Sequence, residues 1–352
     1  MTSRTLGKRP VWLPGLIIAY GVFLALITVL NRSGADRLWI GAFNLYLPQV
    51  VWLAPVLILM GLALKYAWRW TLVLGLYAAW VCGPIMGFCW SLPEQSGPVV
   101  TGTTLRLMTC NIKSGRRDVE ALISDLARYK PDIVFLQDAG DVMKGPLGDG
   151  FRGWNVCSDS QYIIASKWPL ARAEALLISQ PKDREYLLRT VVQIGHTPIP
   201  LYNVHLLTPR DGLNALRTAR KRPSQFAEAV QDLQDNVEHR ILQAGKVSDF
   251  VRQEHGAIIL AGDLNSPDES LVGQALREAD LHDAFAEGGR GYGFTYGHFL
   301  LRGRMPWLPR ISWMRIDHIM LSSRLRAKHC WTGTGEASDH RPVFADLIVP
   351  AS

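Results

Sequence analysis

Five cysteines among 352 residues, with no Cys-x-x-Cys pair, are too few and too scattered for a disulfide framework. The nine histidines show no close pair at zinc-ligand spacing, which argues against a zinc site. Internal repeats and low-complexity tracts are absent, so nothing suggests a solenoid or a long disordered tail. Charge is missing altogether from residues 11–30, 39–64 and 70–90. Each of these runs is long enough for a helix to cross a hydrocarbon core of about 30 Å, which takes about 20 apolar residues. Three transmembrane helices are therefore expected. A cleaved signal peptide fits the first run poorly, because the run is too long and no small-residue cleavage site precedes the next one. Asn44 and Gln49 are the main polar residues within the runs, and Pro48, Pro55 and Pro84 are expected to kink their helices. With no acid or base inside them to relay protons or ions, the helices read as an anchor and not as a transporter.

The formal net charge of +7 resembles that of a nucleic-acid binder until it is divided along the chain. Seven basic and two acidic residues precede Gln95, which leaves the remainder at only +2. The basic excess thus speaks for membrane topology more than for DNA. Arg4, Lys8 and Arg9 before the first run, and Lys65 and Arg69 between the second and third, are expected to stay cytoplasmic. An odd number of crossings then places everything beyond Trp90 outside the cytoplasm. Pro93, Gly97, Pro98 and Gly102 mark an exported linker. The expected organisation is a membrane anchor over residues 1–94, a linker over 95–104 and a large domain over 105–352.

In that domain short apolar runs alternate with amphipathic helices, and the runs end on polar side chains. Residues 105–111 alternate like a strand and end on Asn111; residues 133–136 read as a buried strand followed by Gln137 and Asp138. A helix is expected between them over residues 118–129. Further strands are expected over 162–166, 187–194 and 199–206, the last with Asn203 and His205 in alternate positions, followed by a basic stretch (Arg210, Arg217, Arg220, Lys221, Arg222) read as a solvated loop and helix start. A long helix over 224–253 leads to the stretch around which the domain is organised, Ile-Ile-Leu-Ala-Gly-Asp-Leu-Asn-Ser-Pro at residues 258–267. A buried strand empties there through Gly262 into Asp263 and, two residues on, Asn265, so that both side chains leave on one side of the sheet. Asp317, with His318 beside it, and Ser338-Asp339-His340 complete the series.

The ordered set Asn111, Asp138, Asn203 with His205, Asp263 with Asn265, Asp317, and Asp339 with His340 resembles the endonuclease/exonuclease/phosphatase superfamily from about residue 105 to the C-terminus. The resemblance implies an α+β fold, a four-layer αββα sandwich of two packed mixed β-sheets flanked by helices, here preceded by the three transmembrane helices. It implies a metal-dependent phosphoric ester hydrolase. Mg²⁺, with Mn²⁺ as a substitute, would be held by oxygen ligands from Asn111, Asp138 and Asp339. Asp263 would activate water, and Asn265 would hold that water or a phosphate oxygen. His205 and His340 would contact the phosphate, and Asp317 would fix His340. Asn203 and, at its strand's edge, Arg189 are substrate-binding candidates. His318 should face away from Asp317 and is read as structural.

The superfamily usually has Glu where this chain has Asp138, which puts metal affinity or register in question. Lys113 stands where abasic-site nucleases carry an acid, and the sequence after Asn265 departs from the inositol 5-phosphatase signatures, so the motifs lie nearer the deoxyribonuclease and sphingomyelinase side. The expected activity is that of a phosphodiesterase. An exported nuclease, a phosphomonoesterase or a catalytically inactive phosphate-binding module are the alternatives. The expected partners are the phosphoester substrate and the lipid bilayer; no feature points to a specific protein partner. By analogy with membrane-anchored bacterial members of similar layout, the expected location is the inner membrane with the hydrolase domain extracytoplasmic. Residues 299–313, in which apolar and aromatic residues interleave with arginines, are a candidate lipid-contacting loop.

Overall fold

The computed structural model describes residues 10–91, 102–116, 118–180, 185–298, 307 and 311–350. The chain divides into two compact units, Met1–Phe88 and Cys89–Ser352.

The first unit is helical: α1 (Trp12–Arg32), α2 (Trp39–Tyr46), α3 (Leu53–Tyr66) and α4 (Thr71–Trp80), which runs on into a π-helical turn, Val81–Ile85. Among the described residues two helical stretches, Trp12–Arg32 and Gln49–Tyr66, are long and apolar enough to cross a membrane, so the expectation of three is not met on length. The run over 39–64 breaks because Leu47 and Pro48 adopt extended backbone. A proline clashes with helical geometry in the residue before it, and the helix stops at Tyr46. The run over 70–90 yields ten residues of α4 and five of the π turn. At 1.5 Å per residue these reach about 22 Å, short of a full hydrocarbon core.

The helices nonetheless pack as a bundle. Leu13 and Ile17 of α1, Val56, Leu59 and Ala63 of α3, and Leu74 of α4 form one buried cluster; Leu24, Val81 and Ile85 form a second further along. α1 and α4 therefore run in the same direction. Gly21 makes this possible, since a Cβ there would collide with the Tyr77 hydroxyl. The polar exceptions pair with each other: Asn44 Nδ2 donates to Asn31 Oδ1 at 2.6 Å and Gln49 Nε2 to the Asn44 carbonyl at 2.6 Å. Leu26, Ile58 and Leu72 point outward, each more than 60 % exposed.

The second unit begins earlier than the expected linker, with β1 (Cys89–Trp90). Then follow β2 (Gly102–Asn111), α5 (Val119–Tyr129), β3 (Ile133–Gln137), α6 (Pro146–Gly150), β4 (Asn155–Asp159), β5 (Tyr162–Ser166), β6 (Glu174–Leu177), β7 (Tyr186–Ile194), β8 (Thr197–His205), α7 (Arg210–Ala219) and α8 (Phe226–Arg252). β9 (Ile259–Asp263), α9 (Leu271–Arg277), β10 (Leu281–Asp283), α10 (Ala284–Gly288), β11 (Arg290–Gly291), β12 (Asp317–Ser322), β13 (Arg326–Thr332) and β14 (Val343–Pro350) complete it. β1 pairs with β11, so residues 89–90 belong to this unit; most of the expected linker lies outside the described residues.

Two six-stranded mixed sheets, ordered β10-β12-β9-β8-β7-β6 and β13-β14-β2-β3-β5-β4, form the middle of the unit. Alternation along the strands divides each sheet's side chains between two surfaces. Leu105, Leu107, Ile133, Phe135, Leu201, Ile259, Ala261 and Ile319 face inward and make the core between the sheets. On the outer surfaces, Val204, Leu260 and Met320 pack with Ala244 and Val247 of α8, and Met108, Val134 and Leu136 with Leu122 of α5. Two sheets with helices outside them are the expected layers. β9 can lie tightly along β8 because Gly262, at φ 150°, carries no Cβ to strike the Val204 carbonyl.

Candidate active site

The inward stripe of each central strand is apolar until its end and then turns polar. After Leu105 and Leu107 come Thr109 and Asn111 on β2; after Ile133 and Phe135, Gln137 on β3; after Ile199 and Leu201, Asn203 and His205 on β8; after Ile259 and Ala261, Asp263 on β9. β12 runs the other way and begins with Asp317 directly opposite Asp263, while His205 lies opposite Asp263 on the other side. One residue period thus delivers every polar group to the same end of the sandwich.

Asp263 is the centre of this cluster and only 1 % exposed. Its Oδ2 accepts from Asn111 Nδ2 at 2.9 Å and lies 3.6 Å from His205 Nε2 and 3.7 Å from His340 Nε2. Its Oδ1 accepts from the Asn265 amide at 2.9 Å. Behind the imidazoles stand their own partners: Asp317 Oδ2 is 2.9 Å from His340 Nδ1, and Gln161 Oε1 is 2.7 Å from His205 Nδ1. Burial pushes the Asp263 carboxyl above its ordinary value; the lowering pull of His340 and His205 does not overcome burial together with the nearby Asp317 carboxylate. Burial alone would lower the His340 imidazole, but Asp317 and Asp263 outweigh it and hold its pKa at about 9. At neutral pH His340 is therefore a cation against a buried acid pair.

Several sequence expectations change here. Asn203 is fully buried one layer below the cluster, where its Nδ2 donates to the Leu136 and Ile163 carbonyls and its Oδ1 accepts from Gln137. It braces the two sheets together and presents nothing to a substrate. Arg189 leaves β7 on the outer surface, where Glu254 holds its guanidinium at 2.6 Å and Glu174 at 3.4 Å. It takes no part in the cluster. Asn265 sits in the left-handed region at φ 49° and commits its Nδ2 to the Leu206 carbonyl at 2.9 Å. Asp138, at φ 48°, accepts from the Ser114 hydroxyl at 3.0 Å at the rim, and Asp339 pairs with the Lys113 ammonium.

Four neighbours carry no signal in the sequence pattern. Gln161 fixes His205; Thr295 Oγ1 accepts from the Ile316 and Asp317 amides; and buried His298 reaches the Gly335 and Ser338 carbonyls and so shapes the approach to Asp339. Tyr296 lays its ring 4.7 Å from that of His340. All are partners distant in sequence, which local periodicity does not reveal. The candidate lipid loop lies outside the described residues except for Trp307, which is 77 % exposed, and residues 311–313.

The donor set suits a hard divalent cation. Asp263, Asp317 and His340 bring ligand atoms within 4.8 Å of one another. Asn111 turns its Nδ2 to Asp263 and its Oδ1 to the Lys113 amide at 3.1 Å, so its amide would rotate to offer oxygen to a cation, and the carboxylates of Asp138 and Asp339 are held by Ser114 and Lys113, with no thiolate in the set. One further observation agrees: the buried Gln137 Oε1, in register with Asn111, has no hydrogen-bond partner.

Among solved structures, similar folds include D. rerio TDP2 complexed with single-strand DNA product, 18 % identical with a TM-score of 0.53 over 70 % of this chain and 99 % of that one. A truncated Caenorhabditis elegans TDP2 is 20 % identical with a TM-score of 0.52, over 71 % and 99 %. An AP endonuclease from Archaeoglobus fulgidus is 18 % identical with a TM-score of 0.51, over 68 % and 98 %. At such identities the likeness is one of fold. No curated protein matches the chain. The family model described as "Endonuclease/Exonuclease/phosphatase family" matches residues 108–340, about two thirds of the sequence and every strand end named above. The chain therefore belongs to the endonuclease/exonuclease/phosphatase family, whose members are metal-dependent phosphoester hydrolases.

Proposed function

We propose that this protein is a membrane-anchored, Mg²⁺-dependent phosphodiesterase. The observation that carries the reading is the placement of two imidazoles, at 3.6 and 3.7 Å, against one oxygen of a buried carboxylate whose pKa is raised. A raised carboxylate is a better base than an exposed one, and Asp263 Oδ2 accepts the proton of the attacking water. His340, held as an imidazolium by Asp317, stabilises the charge that develops on the phosphoryl oxygens. His205, oriented by Gln161, faces the same oxygens from the other side. Mg²⁺ held by Asn111, Asp138 and Asp339 would neutralise phosphoryl oxygen charge as a Lewis acid. A diester is favoured because it brings one negative charge, which suits a site whose centre holds one organic cation among several acids.

The anchor reading rests on the bundle of α1, α3 and α4, whose outward residues are apolar. Because α4 runs alongside α1 in the same direction, the chain crosses three times, the short third helix being carried by its neighbours. With Lys65 and Arg69 on the cytoplasmic side, the hydrolase unit is extracytoplasmic. A reporter active only outside the cytoplasm, fused after Ser352, should be active; an inactive fusion that is active with a cytoplasmic reporter would reverse the topology.

Activity is tested on the purified full chain in detergent, with Mg²⁺ and with EDTA, against a phospholipid, a sphingolipid, duplex DNA and a phosphomonoester. Asp263→Asn runs beside it. Turnover of a diester that needs both Mg²⁺ and Asp263 supports the reading. Turnover of the monoester alone, or turnover that survives EDTA, defeats it.

A further inference from the structure

Arg189 is occupied on the outer surface and Lys113 by Asp339, so neither serves as a free cation for a substrate. Another arginine lies just beyond His205 in the chain. Arg210 opens α7 five residues after His205, and the hydroxyl of Tyr296, the residue whose ring lies against His340, is among the groups that act on its guanidinium. The acids that face it are Asp339 and Asp211.

The loop that carries Arg210 is held with unusual completeness. The Leu206 amide donates to the Asp263 carbonyl at 3.0 Å and the Leu206 carbonyl accepts from Asn265 Nδ2 at 2.9 Å. The Leu207 amide donates to Gln243 Oε1 at 2.8 Å, and its carbonyl accepts from Arg240 Nη1 at 2.9 Å. The Thr208 carbonyl accepts from Asn236 Nδ2 at 2.9 Å. A short surface loop would ordinarily leave such groups to water. Here three side chains of α8, spaced so as to share one stripe of the helix, take them. Arg240 is only 2 % exposed and Gln243 1 %. Burying a guanidinium is unfavourable unless its hydrogen bonds are made, and two of those bonds go to this loop and to the Asn236 side chain beside it. Asn265 and the Asp263 carbonyl hold the same loop from the catalytic strand. His205 and Arg210 are thereby fixed at its two ends.

We propose that Arg210 binds the anionic oxygens of the substrate's phosphoryl group, and that Asn236, Arg240 and Gln243 are positioning residues that hold its loop; the inference rests on the phosphoester-hydrolase reading above. A guanidinium offers two parallel N–H donors to a phosphoryl group. The loop's tethers remove the ordering that binding would otherwise require.

The test uses the full chain in detergent and inorganic phosphate as probe. Binding is followed by calorimetry in EDTA, so that it does not depend on turnover. Arg210→Gln should weaken phosphate binding by about tenfold or more, as expected for loss of a charge-assisted contact, and Arg210→Lys should recover part of it. Arg240→Met should weaken binding in the same direction, yet add nothing in the Arg210→Gln background, since it acts through Arg210. Asn236→Ala, at a half-buried position, repeats that comparison if Arg240→Met does not fold. Phosphate affinity within twofold of wild type in Arg210→Gln would overturn the proposal, as would a wild type that binds no phosphate. Phosphate binding that depends on Arg210 without turnover of any phosphoester would defeat the hydrolase reading and leave the anion contact standing.

Discussion

Asp317 and His318 are neighbours on β12, and each joins a cluster of carboxylates and imidazole, on opposite surfaces of the same sheet. Inside, Asp263, Asp317 and His340 come together; outside, Asp268, Asp283 and His318 do. By donor type the two clusters are alike. They differ in what fills them. The outer one contains the Arg315 guanidinium, 2.6 Å from Asp283 and 3.5 Å from Asp268, and His318 Nδ1 lies 2.6 Å from the same Asp283 oxygen. Burial would raise the Asp283 carboxyl, but Arg315 and His318 bring it well below the ordinary range. In the inner cluster no guanidinium intervenes among the described residues, and Asp263 is raised. A compensated cluster stabilises the fold, and an uncompensated one is poised for chemistry.

Three experiments would break that contrast, the largest effect first. Asp263→Asn should lower kcat by roughly 10²–10⁴, the range for loss of a general base, while circular dichroism shows an intact fold. A variant with wild-type turnover would place the base elsewhere. Arg315→Met should do the reverse. It leaves Asp283 buried without its main partner and should cost about 3–5 kcal/mol of stability, read as a fall in Tm, with kcat of the folded protein changed less than tenfold. A wild-type Tm would mean that the outer cluster is not held by that pair. Smaller again is the effect of metal. Mg²⁺ at about a hundred times its Kd should stabilise by about 2.7 kcal/mol. The increment should vanish in Asn111→Ala and Asp138→Ala and persist in Arg315→Met; if Arg315→Met alone removed it, the outer cluster would be the metal site.

Much of this contrast was legible in the sequence, for a physical reason. Strand alternation has a period of two, so an apolar stripe that ends in Asn111, Asp263 or Asp317 announces which surface those groups occupy, and it likewise sends His318 to the other. What alternation does not tell is depth. Asn203 lies on the correct stripe but one step too far from the strand's end, and becomes a brace between sheets. Arg189 lies on the wrong stripe, and its partner Glu254 is 65 residues away. The outer cluster was hidden for the same reason, since Asp283 and His318 are 35 residues apart and meet only when β10 pairs with β12. In the first unit the apolar runs were plain, but a single X-Pro step at Leu47–Pro48 cut the second in two. Hydropathy does not register a backbone clash.

The most delicate test of the two clusters is the pH dependence of stability, measured in EDTA so that no cation alters the inner one. The folded Asp283 carboxyl lies below its ordinary value, so its contribution is complete above about pH 4 and is lost as pH falls through the depressed value. His340 has the opposite sign. Its folded pKa of about 9 lies above the ordinary value for histidine, so its contribution is complete below about pH 6.5 and is lost as pH rises through 9. Asp263, raised in the folded state, favours its neutral form and so opposes folding once ionised, which makes the inner cluster's net effect the smaller of the two. The stability gap between wild type and Asp283→Asn should therefore close on the acid side, and that between wild type and His340→Gln on the alkaline side, between pH 6.5 and 9. If the His340→Gln gap instead stayed constant to pH 10, the imidazole would not be held as a cation by Asp317 and Asp263, and the inner cluster would carry its negative charge unanswered.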